Sequence, residues 1–301
     1  MNLRDLEYLV ALADHRHFGR AAAACYVSQP TLSTQIKKLE TELGVPLVER
    51  GSRSVLLTPA GAEVVVRARH LLDDADQIRR IAKAVADPEA GVLRLGLFPT
   101  LAPYLLPHVM DRLRARFPRL ELLLVEEKSP ALIDQLRSGA LDAAVLATPV
   151  GEDGLICEPV FQEDFLLAIP PDHRLAHAEE PLPVDVLSGQ ELLLLEDGHC
   201  LREQALDVCA RGGGRERGGF RATSLETLRH MVATGAGLTL LPRLSVSAPV
   251  PAHPGVVLKE LAAPTPHRQV ALVRRATHVD AALLGEVAQV LRDVPHVTPL
   301  S

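Results

Sequence analysis

Between Thr58-Pro59 and Asp87-Pro88 the chain carries Val64, Ala68, Leu71, Ala75, Ile78, Ala82 and Val85, apolar positions alternating by four and three over three repeats. This is the seam of a helix that pairs with another helix, and its alternation of large and small residues lets the partner approach closely. The outer face is rich in Arg and Asp. Burial of the seam against the helix's own domain is the competing account. The flanking segments have different periods and each looks complete, which favours a dimerisation helix between two domains.

The segment before the seam has helical periodicity, with Leu3, Leu6, Leu9, Val10 and Leu12 on one stripe and an alanine-rich stretch from Phe18 to Cys25. Ser28 then stands as an N-cap, Pro30 is tolerated in the first turn, and Leu32, Ile36 and Leu39 form a second stripe. The opposite face carries Gln29, Thr31, Ser33, Thr34, Gln35, Lys37 and Lys38. A short helix, a turn and a helix with an amide-and-hydroxyl face form a helix-turn-helix, whose second helix enters the major groove. The run from Gly44 to Gly61 reads as a hairpin wing with Arg50 and Arg53 at its basic tip. A merely solvated face is the alternative, and a net charge of only +1 over residues 1–61 supports it to a degree. Gln, Ser and Thr on the first two turns have no role on such a face, so DNA is the favoured partner.

After residue 91 the period shortens. Residues 92–98, 120–127 and 141–147 read as strands separated by helical segments at 101–117 and 130–139, the start of a parallel sheet. Further strands are expected at 155–169, 192–195, 238–242, 256–261 and 268–274, with a last helix over about 280–294. The chain leaves the first half near 162 and returns near 267, which implies two α/β lobes around a cleft. The domains are therefore 1–58, the helix 59–88, and 91–301, with one lobe formed by about 91–161 and 268–301 and the other by about 162–267.

In the second lobe, the apolar run Leu192 to Leu195 breaks at Glu196-Asp197-Gly198 and gives way to helical spacing. Cys200 falls in the first helical turn, where free N–H groups and the helix dipole favour a thiolate and where His199 and Arg202 can add positive potential. Cys209 follows nine residues later, a rise of about 13.5 Å on the other face of a continuous helix. A disulfide needs Cα atoms within roughly 7 Å, so the two thiols bond only if the helix unravels. Glycines 212–214 supply slack, and Gly212→Ala is expected to stiffen the helix unless Gly212 is a left-handed cap. Spacing alone leaves two unrelated cysteines as plausible as a redox pair. Thr100 and Ser129 each follow a strand, usually as N-caps; with Cys200 they place three helix starts at one cleft, suited to a small polar or anionic ligand. Thr223 with Glu226 reads as a capping box. Cys25 and Cys157 read as core.

At 301 residues, 47% hydrophobic and 23% charged, the chain is an ordinary globular protein, and its net charge of −6 argues against indiscriminate nucleic-acid binding. No apolar run spans a bilayer and no signal-peptide pattern opens the chain, so a cytoplasmic protein with resting thiols is expected. No metal-ligand spacing, P-loop or nucleophile elbow occurs, so no metal or cofactor is expected.

The stretch from Leu3 to Arg50 resembles the winged helix-turn-helix head of LysR-type transcriptional regulators, and the likeness extends over the whole chain. It implies a winged head, a long linker helix and a two-lobed, periplasmic-binding-protein-like α/β effector domain. The runs LEDGHCLREQALDVC and FRATSLETLRHMVATGAGLTLLP resemble the hydrogen-peroxide-sensing members of that family. That likeness implies that Cys200 is the peroxidatic thiol and Cys209 its resolving partner. It further implies peroxide contacts at Thr100, at Ser129 in place of the usual threonine, and near His199 and Arg275. Gly219 stands where enteric members have histidine. The DNA-contacting set is Gln29, Pro30, Thr31, Ser33, Thr34, Lys37, Lys38, Arg50 and Arg53. The expected partners are double-stranded promoter DNA, hydrogen peroxide, further copies of the chain in a dimer through the linker helix and a tetramer, and RNA polymerase. The expected role is a transcription activator for oxidative-stress genes and not an enzyme. The rivals are a metabolite-responsive regulator with non-redox cysteines and a thiol peroxidase.

Overall fold

The computed structural model describes residues 1–50, 55–86, 91–151 and 154–300 and divides into two compact units, Met1–Pro88 with Ser138–Ala140, and the remainder from Glu89. In the first unit, α1 (Leu3–His15) opens with a capping box between Asn2 and Asp5, and α2 (Phe18–Ala24) presents buried Ala21 and Ala22 to its neighbours. The helix α3 (Gln29–Leu43) is capped by Ser28, whose Oγ accepts from the Thr31 N–H at 3.3 Å, and ends at Gly44 with φ +72°. Leu9, Leu12, Leu32, Ile36, Leu39 and Leu47 form the core among these helices. Strands β1 (Val48–Arg50) and β2 (Val55–Leu57) pair antiparallel as the wing.

The helix α4 (Pro59–Ala86) starts at Thr58, whose Oγ1 accepts from the Gly61 N–H at 2.9 Å. Gly61 is obligatory there, because a Cβ would lie 1.9 Å from the Leu47 carbonyl oxygen. Ala68 is buried and Val64 packs half-buried against the core of the head, so the first part of the seam packs within its own unit. Farther along, Leu71 and Ile78 are 47% and 68% exposed in the single chain. The side chains of Ala82 and Val85 lie outside the described residues.

The second unit is mixed α/β and two-lobed. Its elements in order are β3 (Gly91–Leu97), α5 (Ala102–Arg116), β4 (Leu120–Glu126), α6 (Ser129–Ser138), β5 (Ala143–Ala147), β6 (Leu155–Ile169), β7 (Glu191–Leu195), α7 (Cys200–Gly212), β8 (Arg215–Ala222), α8 (Leu225–Ala233), β9 (Thr239–Pro242), β10 (Val257–Lys259), β11 (His267–Arg275), α9 (Ala281–Arg292) and β12 (Thr298–Pro299). The main sheet runs β10-β6-β11-β5-β3-β4, with β9 and β12 also pairing β6. The strand β3 is parallel to β4 and β5, whereas β11 is antiparallel to β5 and β6. The long strand β6 joins the lobes: it pairs β11 as far as Asp164 and β9 from Phe165 onward.

Two local readings change. The strand β8 has no apolar alternation, because residues 217–220 bulge out of its parallel pairing with β7, and it is invisible to periodicity. The cap of α8 is Ser224, which accepts from the Thr227 N–H at 3.2 Å, in place of the expected Thr223.

Candidate functional site

The turn Glu196-Asp197-Gly198, with Gly198 at φ +89°, ends β7 and delivers Cys200 as the first residue of α7. Two other strand-to-helix turns meet it. Thr100, in the turn before α5, and Ser129, the first residue of α6, both bring their hydroxyls to the Cys200 thiol. Ser129 Oγ is buried there without an aligned hydrogen-bond partner. Three strand-to-helix turns converge at one thiol, although neither hydroxyl is the expected N-cap: α5 is capped at Leu101 without a side-chain bond, and Ser129 is the first residue inside α6.

The cation that serves this thiol is Arg268, at the amino end of β11, which sequence reasoning missed. Its side chain and that of Glu163, its cross-strand partner on β6, are both 0% exposed. Arg268 Nε donates to Glu163 Oε2 at 2.7 Å, Nη1 to Thr100 Oγ1 at 3.0 Å and Nη2 to the Thr100 carbonyl at 3.0 Å. The guanidinium lies 5.1 Å from the Phe98 ring centroid, and Glu163 Oε1 accepts from the Leu244 N–H. Because Thr100 Oγ1 accepts from Arg268, its own proton is left to donate to the Cys200 sulfur. The only signal in the sequence is an arginine in phase with the inward Val270 and Leu272, which is weak.

Burial pushes the Cys200 thiol above its usual range, and Arg268, Ser129 and Thr100 pull in the other direction without overcoming it. The expected low value is therefore corrected: in this conformation the helix start is too dry to leave a thiolate dominant. His199 is buried, and desolvation together with Lys128 pushes it below its usual range, so it is a neutral imidazole and not the expected cation. Arg202 turns away from Cys200 to make a bidentate pair with Glu216 at 2.8 and 2.9 Å and a bond to Asp197 at 2.9 Å.

Arg275 does not join the site. Its Nη1 donates to the Leu136 carbonyl in the last turn of α6 and to the Leu141 carbonyl beyond it, at the far end of β11, seven residues or about 23 Å along the strand from Arg268. A strand parallel to β5 would place its carboxyl end at the cleft. The antiparallel β11 places its amino end there instead, and Arg268 takes the position expected of Arg275.

Cys209 is 3% exposed on the opposite face of the unbroken α7, with burial pushing its thiol to about 11. Gly213, not Gly212, is the left-handed cap, at φ +72°. Gly212→Ala nonetheless cannot stiffen the helix, since its Cβ would lie 2.4 Å from the Val184 carbonyl oxygen.

On α3, Gln29, Pro30, Thr31, Thr34, Lys37 and Lys38 are exposed and Ser33 is half-buried. Thr34 Oγ1 donates to the Pro30 carbonyl at 2.9 Å, and Thr31 and Ser28 hydroxyls lie 2.7 Å apart, which fixes the rotamers of that face. The Arg50 side chain and all of Arg53 lie outside the described residues. Among the described residues no cluster of three metal-ligating side chains occurs, and no helix is long and apolar enough to cross a membrane.

A winged helix-turn-helix followed by a two-lobed α/β domain defines a class of bacterial regulator, and the chain belongs to the LysR family. Residues 3–62 match the bacterial regulatory helix-turn-helix protein of the lysR family, and residues 86–295 match the LysR substrate binding domain. Among its relatives, the chain is 49% identical to the DNA-binding transcriptional dual regulator OxyR of Escherichia coli K12 over 292 residues, 97% of this chain and 95% of that one. It is 50% identical to the hydrogen peroxide-inducible genes activator of Pectobacterium carotovorum over 275 residues, 91% of this chain and 90% of the relative. Its fold is similar to that of a full-length OxyR cysteine variant from Pseudomonas aeruginosa, with a TM-score of 0.82, 37% identity, and coverage of 100% of this chain and 98% of that one.

Proposed function

We propose that the protein is a hydrogen-peroxide-sensing transcription activator of the cytoplasm, switched by a reversible Cys200–Cys209 disulfide and controlling oxidative-stress genes. The observation that carries this is the convergence of Thr100, Ser129 and the buried Arg268 on one thiol at a helix start. The likeness to a hydrogen peroxide-inducible genes activator supports it. In the first step the Cys200 thiolate attacks one peroxide oxygen; the S–O bond forms as the O–O bond breaks, and hydroxide leaves and takes up a proton as water. Sulfur is oxidised by two electrons and peroxide is reduced. In the second step the Cys209 sulfur displaces the hydroxyl of the sulfenic acid, giving the disulfide and water. A thiol reductant returns both sulfurs to thiols. Since Cys209 is buried and strongly protonated, the second step waits for α7 to open. Mass spectrometry after stoichiometric peroxide tests the reading: a Cys200–Cys209 bridge is expected, and its absence with stabilisation by a metabolite would overturn it.

The DNA contacts divide by chemistry. Gln29, Thr31 and Ser33 face base edges, whereas Lys37 and Lys38 face phosphates, with Arg50 and Arg53 on the wing. Lys38→Ala should weaken binding to all sequences alike and flatten the log-log salt slope by about one unit, whereas Gln29→Ala should cost about 1–3 kcal/mol at the operator and relax specificity. Fluorescence anisotropy across salt and sequence variants measures both; equal loss of specificity from the two substitutions contradicts the division.

The segment 59–88 serves as a linker and dimerisation helix in a homo-oligomer, with RNA polymerase as the downstream partner. The exposure of Leu71 and Ile78 along the seam supports this. A charge at the seam in Ile78→Asp should raise the dimer dissociation constant on the order of a hundredfold in sedimentation experiments, and an unchanged constant would place the dimer contact elsewhere.

A further inference from the structure

One ion pair joins the turn before Cys200 to the turn before Ser129 and has no part in the steps of oxidation. Lys128 immediately precedes Ser129, and its Nζ donates to Glu196 Oε1 at 2.5 Å and to the Asp197 carbonyl at 3.2 Å. Its aliphatic stem lies against Gly198, where a Cβ would come within 3.1 Å of Lys128 Cδ. The residues it grips form the turn that delivers Cys200, and the residue next to it supplies a hydroxyl to that thiol. His199, buried between the turn and α7, has its Nε2 3.9 Å from the same Glu196 oxygen.

We propose that Lys128 is a positioning residue: by clasping Glu196 and the Asp197 carbonyl it holds the Cys200 turn against the Ser129 turn and so sets the rate at which Cys200 reacts with peroxide. This rests on the reading of Cys200 as the peroxide-reacting thiol. The step concerned is the first one, in which sulfur gains an oxygen and hydroxide leaves to become water. Orientation matters there because the sulfur must lie in line with the breaking O–O bond while the hydroxyls around it stay beside the reacting atoms. Lys128 and Glu196 are about a third exposed, at 36% and 38%, so the clasp is screened by salt and its effect is modest.

Pure electrostatics and a clasp make opposite predictions for Glu196. Removing its negative charge raises the thiolate fraction at Cys200 and speeds the reaction if only charge matters; it slows the reaction if the clasp matters. The test uses full-length protein carrying Cys209→Ser, in which the sulfenic acid accumulates, and follows its formation by quenched-flow trapping with a carbon nucleophile and mass spectrometry. Lys128→Met and Glu196→Gln should each slow formation about threefold to fivefold, Lys128→Arg should stay within about twofold of the parent, and raising the salt should slow the parent but neither slow variant. Acceleration by Glu196→Gln, or a parental rate in Lys128→Met, overturns the clasp while leaving the peroxide reading intact. A parent that forms no sulfenic acid overturns that reading and the clasp with it.

Discussion

Replacing Arg268 with methionine should cost the effector domain about 3–5 kcal/mol, because Glu163 would be left as an uncompensated charge in a fully buried site. For a domain of this size the melting temperature should fall on the order of 10 °C. The same change removes the largest influence holding the Cys200 thiol down. A thiol raised by burial is neutral over more of the pH range, its thiolate appears only as pH climbs toward the folded-state value, and losing Arg268 moves that rise to higher pH. The rate of Cys200 alkylation or oxidation against pH should therefore shift to the alkaline side in Arg268→Met. Arg268→Lys keeps the charge and loses the fork that binds Glu163 and Thr100 together, so it should fold and react at an intermediate rate. A thermal melt and pH–rate profile like those of the parent in Arg268→Met would show that the pair neither holds the lobes' sheet together nor serves the thiol.

Cys200→Ser should abolish the response altogether. A serine hydroxyl is not a nucleophile toward peroxide under these conditions, and it fits the space beside Thr100 and Ser129, so folding and DNA binding should persist while the operator footprint stops changing with peroxide. A Cys200→Ser protein whose footprint still responds would move the sensing chemistry elsewhere in the chain. Cys209→Ser, by contrast, should still consume one peroxide at Cys200 and then stall, since no second sulfur is present to close the bridge.

The parts of the site that were legible in the sequence are those decided locally. Ser28 as a cap, the exposed face of α3, and the three strand-to-helix turns that carry Thr100, Ser129 and Cys200 follow from turn chemistry and periodicity within a dozen residues, and the structure brings the last three to one point. What was not legible depends on pairing across the chain. Arg268 and Thr100 are separated by 168 positions, and only the antiparallel direction of β11 tells which end of that strand, Arg268 or Arg275, faces the cleft. Arg202 was assigned to Cys200 because it lies two residues away, yet its true partner, Glu216, sits on β8, a strand without a periodic signature. The low thiol value inferred from the helix dipole failed for a related reason. Dipole and neighbours can be read from sequence, whereas the depth of burial that outweighs them cannot.

A switch that works by unwinding α7 is tested most directly by amide hydrogen exchange across residues 200–212. In the reduced protein the continuous helix, with Leu201, Ala205, Val208 and Cys209 buried, should protect these amides. Cys200 and Cys209 cannot approach within disulfide distance while that helix persists, so after oxidation, with the bridge verified by mass spectrometry, the segment should lose most of its protection. Unchanged protection over 200–212 in protein whose Cys200–Cys209 bridge is confirmed would contradict the mechanism.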